Sequence, residues 1–448
     1  MGSEMCIRDR YIFEEETDWT PYLYQSVQAV TEDDRILHIK NLLQREVKLE
    51  NCLITENSVD TVTIFSEGYR IKLPCKNLTA QFSDEIVDIY LTNGSITKIS
   101  AKRESISGKI LAVRPDGIEM EGYGIVPVAE KFRFYETYGE YTEKSAYGLI
   151  VGYEQPKLIV AEGKICAAVL DAPISLEKIR VLLKTTDFAD IVHSNVSLKA
   201  LGDYEISYGN QTEILNDGEE LTLTSDSDYL SEERVILRPG SEDARLEITS
   251  IERSYGTPAY AGTIEVAKDS GGLMIVNEVD LETYLYGVVP SEMPASYGLE
   301  ALKAQAVCAR SYAYRQILLN GYASYGAHVD DSVSYQVYNN LPTDDKVIQA
   351  VNETAGKVLK FQDEVAVTYY FSTSCGYTTN ETIWKNGLAE NTYISGKLLN
   401  DSMEKLDLTN EEAFRNFILN EDYETYDSGE SWYRWDTVSY THLRAHET

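Results

Sequence analysis

The feature that most constrains this chain is a series of short alternating strands, joined by tight turns, across its first 170 residues. In the clearest case, strands at 87–91 and 95–99 flank an Asn-Gly pair at 93–94, which suits the left-handed backbone of a two-residue hairpin. Similar hairpins are predicted at 110–120 and 152–166. We therefore expect two all-β modules, at residues 11–107 and 108–170, each built as a small barrel or sandwich.

Helices enter in the second half of the chain. Leucine and alanine recur at spacings of three and four between residues 299 and 319 and form one apolar stripe, which is typical of an amphipathic helix. Shorter helices are predicted at 282–286, 344–354 and 411–419, and strands at 358–361 and 365–371.

The predicted fold class is therefore α+β, with N-terminal all-β modules followed by a mixed domain at residues 171–437. Within that domain, 171–275 continues the alternating pattern and is expected to be β-rich. Residues 276–437 contain the predicted helices and are expected to form the catalytic core.

Charge excludes several classes of partner. The 448 residues carry a formal net charge of −33 at pH 7, which argues against nucleic-acid binding and against polybasic attachment to an anionic membrane surface. The five cysteines after residue 10 have wide, irregular spacing without a CxxC pair, so neither a zinc site nor a disulfide framework is indicated. A Cys52–Cys75 disulfide stays open.

Both ends of the sequence resemble translated sequencing-adapter read-through, which is foreign to the natural protein. Residues 1–10 and 438–448 are therefore excluded from the prediction of fold. We expect the natural N-terminus, with any signal peptide or membrane anchor, to be missing.

Glu292 is the residue with the most chemical information. Its neighbours within 288–294 are two valines, two prolines, a methionine and a serine, and apolar surroundings disfavour an ionised carboxylate, as a general acid near neutral pH requires. We expect Glu292 in a turn just before the 299–319 helix. The alternative is a glutamate that begins a helix and interacts with its dipole. The nearby acids Glu278, Asp280 and Glu282 alternate with apolar residues, which favours a solvated face.

A long motif surrounds Glu292. It has Tyr-Leu-Tyr-Gly-Val-Val-Pro-Ser-Glu-Met-Pro at 284–294 and Leu-Lys-Ala-Gln-Ala-Val-Cys-Ala-Arg-Ser-Tyr-Ala at 302–313. Weaker matching segments lie at 179–183, 260–266, 330–338, 370–378 and Trp384. Together these segments resemble the stage II sporulation protein D family. The resemblance covers roughly residues 171–437 and leaves 11–170 outside.

This resemblance implies a chemistry. Members of the family are peptidoglycan lytic transglycosylases, so Glu292 would be the catalytic acid that cleaves the β-1,4 bond between N-acetylmuramic acid and N-acetylglucosamine in glycan strands without stem peptides. Polar residues of the matched motifs would bind the substrate, and each has an ordinary structural role as its alternative. These residues are Lys303, Arg310, Gln336, Tyr338, Ser372, Ser374 and Tyr377.

The resemblance also bears on partners and location. The family includes amidase-enhancer proteins, so the alternative function is a non-catalytic protein that binds cell wall and activates a partner N-acetylmuramoyl-L-alanine amidase. Either function implies an extracytoplasmic protein, secreted or membrane-anchored at the cell surface or forespore septum. Some members carry a Cys/His cluster after the catalytic helix that resembles a zinc site. Here that region keeps His328 and acids without thiolates, so we predict no metal and no cofactor.

Overall fold

The structure is a computed structural model. Two compact units are present, Met1–Lys357 and Val358–Thr448. The suspected foreign ends and Trp384 lie outside the residues that the structure describes. Those residues are 12–13, 27–32, 35–42, 46–76, 78–154, 156–339, 344–380, 393–420 and 423–434.

Two sheets form the first β-module. The first, a three-stranded sheet in the order β1-β3-β2, consists of β1 (Ile12–Phe13), β2 (Val27–Glu32) and β3 (Arg35–Leu42). The second, a five-stranded sheet in the order β6-β5-β4-β7-β8, consists of β4 (Glu46–Asn57), β5 (Thr61–Ser66), β6 (Tyr69–Pro74), β7 (Glu85–Thr92) and β8 (Ser95–Lys102).

The predicted Asn-Gly hairpin is confirmed as β7–β8. Asn93 and Gly94 both have positive φ, at 52° and 77°, as a turn that matches the strand twist requires. Cys52 and Cys75 lie in the core of the same sheet as free, buried thiols.

Eight strands of the described chain form the second β-module, and the first of them lies before the predicted boundary at residue 108. They are β9 (Ser105–Ile106), β10 (Ile110–Arg114), β11 (Gly117–Met120), β12 (Gly124–Val126), β13 (Val128–Glu136), β14 (Thr142–Lys144), β15 (Lys157–Ala161) and β16 (Lys164–Leu170). Strands β10-β11-β12 form one sheet and β14-β13-β16-β15-β9 another. Leu53 and Phe65 of the first module are buried against Tyr135, Ile159 and Ala167 of this larger sheet, so the two modules share a core.

A seven-stranded sheet in the order β20-β19-β22-β25-β26-β17-β27 forms the base of the next region, beside a four-stranded sheet in the order β21-β18-β23-β24. The strands are β17 (Lys178–Leu183), β18 (Val196–Leu201), β19 (Tyr204–Tyr208), β20 (Gln211–Leu215), β21 (Glu220–Leu223), β22 (Arg234–Pro239), β23 (Arg245–Ile248), β24 (Ala259–Tyr260), β25 (Thr263–Asp269), β26 (Gly272–Asp280) and β27 (Val329–Asp330). This region confirms the β-rich prediction for 171–275.

Of the three helices in this region, α1 (Leu281–Glu292) and α2 (Leu299–Leu319) pack on the seven-stranded sheet, and α3 (Asp345–Glu353) packs against α1 and α2. Alanines of α2 are fully buried in the largest core of the unit, because small side chains allow neighbouring elements to pack closely. The α+β fold class is confirmed, since strands fill the N-terminal part of the described chain and helices enter after residue 280.

The second unit has less regular structure. Its elements are β28 (Lys360–Phe361), β29 (Glu364–Val365) and α4 (Glu411–Leu419). The helix agrees with the prediction residue by residue. The predicted strand at 365–371 is wrong beyond Val365, and β28 is a two-residue strand joined to β29 by a turn in which Gln362 and Asp363 have positive φ.

A buried charge network crosses four adjacent strands of the seven-stranded sheet. Arg180 of β17 donates to both carboxylate oxygens of Glu265 on β25 at 2.7 Å and to Glu278 on β26 at 2.5 Å. Arg234 of β22 donates to the same Glu265 at 2.8 Å. It also forms a bidentate pair with Glu119 of β11, at 2.6 and 2.9 Å. The network therefore connects the second module to the sheet.

Glu278 shows how far this arrangement departs from the sequence prediction. The expected solvated face is wrong for Glu278, which is buried and also pairs with Lys109 of the second module at 2.7 Å, whereas Asp280 is exposed. Burial alone would raise the pKa of Glu278, but Arg180 and Lys109 hold that pKa below its usual value. Glu265 follows the same pattern, because the attraction of Arg180 outweighs burial and lowers the pKa of its carboxyl.

Two further close contacts join the second module to the helical region. Asn320, the left-handed C-cap of α2, donates its amide to the carbonyl of Leu149 at 2.6 Å. Gly326 has a φ of 80°, and a Cβ at this position would collide with the carbonyl oxygen of Leu111. The predicted boundaries near 108 and 171 stay predictions, and the sheets change close to both of them.

We expect Arg180→Met to lower the free energy of unfolding by about 3–5 kcal/mol, because the two buried carboxylates then keep only part of their compensating charge, such as that of Arg234 and Lys109. Urea unfolding followed by circular dichroism measures the loss. The matched control is Arg103→Met, which removes an exposed arginine that pairs with Glu85 at 3.2 Å and should change the free energy by less than about 1 kcal/mol. Equal effects of the two substitutions would contradict the structural importance of the network.

Candidate functional site

Glu292 is the last residue of α1 and is half-buried. Asp280 caps the start of this helix, and its carboxylate accepts from the backbone N–H groups of Glu282 and Thr283 at 2.9 and 3.1 Å. The predicted turn is wrong at this point, because α1 continues through Pro290 for two more residues. A proline in the last turn removes one hydrogen bond without preventing the bonds beside it. The alternative of a helix-start glutamate is also wrong, since α2 begins seven residues later.

The carboxylate of Glu292 has a defined orientation. Its Oε1 accepts a hydrogen bond from the backbone N–H of Val337 at 3.0 Å. The end of a helix carries partial negative charge, which opposes an ionised carboxylate, whereas a backbone donor favours it.

A buried ion pair holds the loop that carries Val337. Asp331 accepts from Arg253 at 2.5 Å and from the backbone N–H of Lys184 at 3.1 Å, while its carbonyl accepts from the N–H of Tyr338 at 3.1 Å. Burial raises the pKa of Asp331 to about 6, against the attraction of Arg253. The loop is thus fixed on both sides of Val337, which lies between Asp331 and Tyr338 in sequence.

Tyr338 lies in the core beneath this loop. It is 2% exposed and packs against Tyr260 and Tyr284, with ring centroids 5.5 and 4.9 Å apart. A Cβ on Gly287 of α1 would meet its ring at 2.5 Å, so the glycine in the motif makes room for the tyrosine. Gln336 is also buried, and its amide donates to the carbonyl of Ala309 at 3.3 Å. Both predicted sugar ligands therefore point into the protein and position the loop beside Glu292.

The two predicted basic ligands on α2 have carboxylate partners. Lys303 pairs with Glu300 at 2.8 Å and with Glu353 at 2.6 Å. Arg310 is buried and forms a bidentate pair with Glu282, at 2.8 and 2.6 Å. Glu282 lies ten residues from Glu292 on α1, which places the two ends about 15 Å apart. Arg310 therefore fastens α2 to the start of α1, away from the candidate acid.

The remaining predicted ligands belong to the second unit. Ser374 donates its hydroxyl to Asp427 at 2.6 Å, and Tyr377 donates to the carbonyl of Leu406 at 3.1 Å. Ser372 is exposed. Their assignment as substrate ligands stays a prediction.

Sequence reasoning missed the residues that orient Glu292. Val337 contributes a backbone group, which carries no residue-type signal, and Arg253 lies 78 residues before the Asp331 it holds. The motif match did place residues 330–338 near the site. The helix cap at Asp280 was predictable from the sequence, because aspartate before an apolar helical pattern is a common helix start.

His328 has a structural position in this region. Its Nδ1 accepts from the N–H of Arg180 at 3.0 Å, its Nε2 donates to the carbonyl of Val151 at 3.0 Å, and its ring stacks on Tyr153. Burial, reinforced by the positive charge of Arg180, lowers its pKa to about 3, although the Val151 carbonyl and Glu278 act in the opposite direction. His328 is therefore a neutral link between the second module and β17.

Across the described residues, no group of three or more histidine, cysteine, aspartate or glutamate side chains is arranged to hold a metal ion. The absence of zinc stays a prediction. In that same part of the chain, none of the helices has the length and apolar character needed to cross a bilayer.

The segment that contains Glu292 is similar in sequence to known proteins. Residues 269–361, which include β26, α1 and the loop of Val337, match the model of the stage II sporulation protein family. The chain is 38% identical over 128 residues to stage II sporulation protein D of Bacillus subtilis, covering 25% of this chain and 37% of that protein. It is 40% identical over 106 residues to the amidase enhancer of Bacillus subtilis, covering 23% of this chain and 14% of that protein.

A third relative is an uncharacterized protein of Brachyspira hyodysenteriae, 38% identical over 122 residues, or 27% of this chain and 33% of the relative. The chain thus spans about a third or less of the curated relatives it matches. The resemblance found in the sequence is confirmed for residues 269–361, which match the stage II sporulation protein family. The matched region is shorter than the 171–437 expected and leaves the β-modules outside it.

We expect the stability of the protein to fall as pH drops from about 6.5 towards 3, in part because the unfolded chain protonates His328 while the folded chain excludes the proton. His328→Gln retains a donor and an acceptor but does not titrate, so it should flatten this slope by up to about 1.4 kcal/mol per pH unit. Urea unfolding at several pH values from 4 to 7 checks the difference.

The matched control for this prediction is His38→Gln, a substitution of an exposed histidine on β3. It should leave the slope of wild type unchanged. Asp331, whose pKa is raised to about 6, contributes a slope of opposite sign in every variant and so cancels from the comparison. Identical slopes for wild type and His328→Gln would contradict the buried, neutral histidine.

Proposed function

We propose that this protein is a peptidoglycan lytic transglycosylase that cleaves the β-1,4 bond between N-acetylmuramic acid and N-acetylglucosamine. The observation that carries the proposal is the half-buried carboxylate of Glu292, oriented by the N–H of Val337 at 3.0 Å within the family-matched segment. The preferred substrate is glycan strand from which stem peptides have been removed.

In the proposed reaction one carboxyl group acts twice. Protonated Glu292 gives its proton to the glycosidic oxygen as the bond to the anomeric carbon of muramic acid breaks. The resulting carboxylate takes the proton from the C6 hydroxyl of the same sugar, whose oxygen bonds to the anomeric carbon and closes a 1,6-anhydro ring. Because the nucleophile belongs to the substrate, effective molarity replaces the second carboxylate of ordinary glycosidases.

The surroundings of Glu292 support this double role. A fixed carboxylate is required because proton transfer needs hydrogen-bond distance in both steps. Tyr338 and Gln336 fix the loop from below, and the Arg253–Asp331 pair fixes its start. These residues position Glu292 through Val337 and have no proposed contact with the sugar.

A second candidate function follows from the amidase-enhancer relative, which is 40% identical over 106 residues. In that case the same domain binds cell wall and raises the activity of a partner N-acetylmuramoyl-L-alanine amidase without cleaving glycan. Both functions place the protein outside the cytoplasm, at the cell wall, with peptidoglycan as a shared ligand.

We expect Glu292→Gln to reduce the release of 1,6-anhydro products from denuded glycan strands by at least about 100-fold, because glutamine can neither give nor take the proton. Mass spectrometry of the digest, wild type beside variant, measures the loss. The matched control is Glu300→Gln on α2, whose side chain is 85% exposed and which should retain wild-type activity.

Three outcomes separate the candidates. Anhydro products that depend on Glu292 support the transglycosylase. Absence of these products from wild type, together with faster turnover by an added wall amidase, supports the amidase enhancer. Equal activity of wild type and Glu292→Gln would remove Glu292 from the mechanism.

A further inference from the structure

A cavity of about 650 Å³ lies between the second β-module and the far edge of the seven-stranded sheet. The module contributes the end of β11 and the turn into β12, and the sheet contributes the β19–β20 hairpin and β22. Its volume is in the range of small-molecule sites. Glu292 and Val337 are not among its lining residues, so the cavity is separate from the candidate acid.

Five charged side chains line the cavity, and four of them form two ion pairs, whereas Glu232 is exposed. Arg234 binds Glu119 in a bidentate pair at its floor. Arg238 at the rim pairs with Glu121 and donates to the hydroxyl of Ser207 at 3.0 Å. Ion pairs offer hydrogen-bonding atoms but produce little net electric field. The walls therefore suit a neutral ligand with many hydroxyl groups better than an ion.

One wall of the cavity has an exposed aromatic ring with open space beside it. Tyr123 is 54% exposed and lies between Gly122 and Gly124, at which an added Cβ would meet nothing within 4 Å. The facing hairpin contributes the polar side chains of Asn210 and Thr212. A tyrosine face packs against the C–H face of a sugar ring, and amide and hydroxyl groups bond to sugar hydroxyls and acetamido groups.

We propose that this cavity is a glycan subsite that binds an N-acetylated oligosaccharide away from Glu292. The choice of ligand rests on the proposed function, whereas the location rests on the paired charges and the exposed ring. The subsite would hold a strand on the second module while another part of the same strand reaches Glu292. It would give the β-structure before residue 171 a role in substrate binding.

The test uses the full chain with Glu292→Gln, which prevents turnover, and the β-1,4-linked tetramer of N-acetylglucosamine as probe, followed by isothermal titration calorimetry. Tyr123→Ala should weaken binding about three- to tenfold, or remove one of two binding events, because the stacking surface is lost. The matched control is Tyr255→Ala, which removes a tyrosine that is 72% exposed and outside the cavity. It should leave binding unchanged.

Equal binding by Tyr123→Ala and Tyr255→Ala, or no binding of the tetramer to the parent protein, would overturn the subsite. Activity of the chain with native Glu292 is measured in parallel. Tyr123-dependent binding without anhydro products would contradict the proposed function and leave the subsite in place. Anhydro products together with Tyr123-independent binding would support the proposed function and overturn the subsite. Unchanged circular dichroism spectra of both alanine variants show that folding is not the cause.

Discussion

The structure of the first unit depends on a charge that has been removed from water. Arg180 is completely buried, so the protein itself must provide every partner for its guanidinium, and desolvation makes any missing partner costly. Glu265 and Glu278 can reach it together only if β17, β25 and β26 are in register. That register sets where β26 ends, and β26 continues directly into α1. The direction in which α1 leaves the sheet, and with it the position of Glu292, is therefore linked to an ion pair in the middle of that sheet.

Local patterns predicted local structure well. The 299–319 helix, α4 and the Asn93-Gly94 hairpin were all predictable, because side-chain periodicity and turn chemistry act over a few residues. The burial of Glu278 was not, because its partners Arg180 and Lys109 are 98 and 169 residues away. A carboxylate that alternates with apolar residues has the same pattern whether it faces water or a buried guanidinium. Only the fold distinguishes the two cases.

The same contrast between local patterns and distant partners applies to the candidate site. The motif predicts Glu292 as the acid, which stays a prediction, and its neighbours in the motif position its side chain. Their roles were less predictable, since Tyr338 has the chemistry of a sugar platform but packs under the loop against Gly287. Arg310 has the chemistry of a substrate clamp but forms a bidentate pair with Glu282. A motif records that residue types are required together and leaves open which of them meet a ligand.

One close approach has a consequence for how such chains can be assembled. At Gly326 the backbone after α2 lies against the carbonyl of Leu111 with no room for a side chain. A β-module taken from another protein would have to place a matching carbonyl against Gly326 before its charges could meet Arg234. Shuffling of modules by recombination is thus restricted at this joint, and residues 108–170 are expected to be inherited with their helical neighbour as one piece.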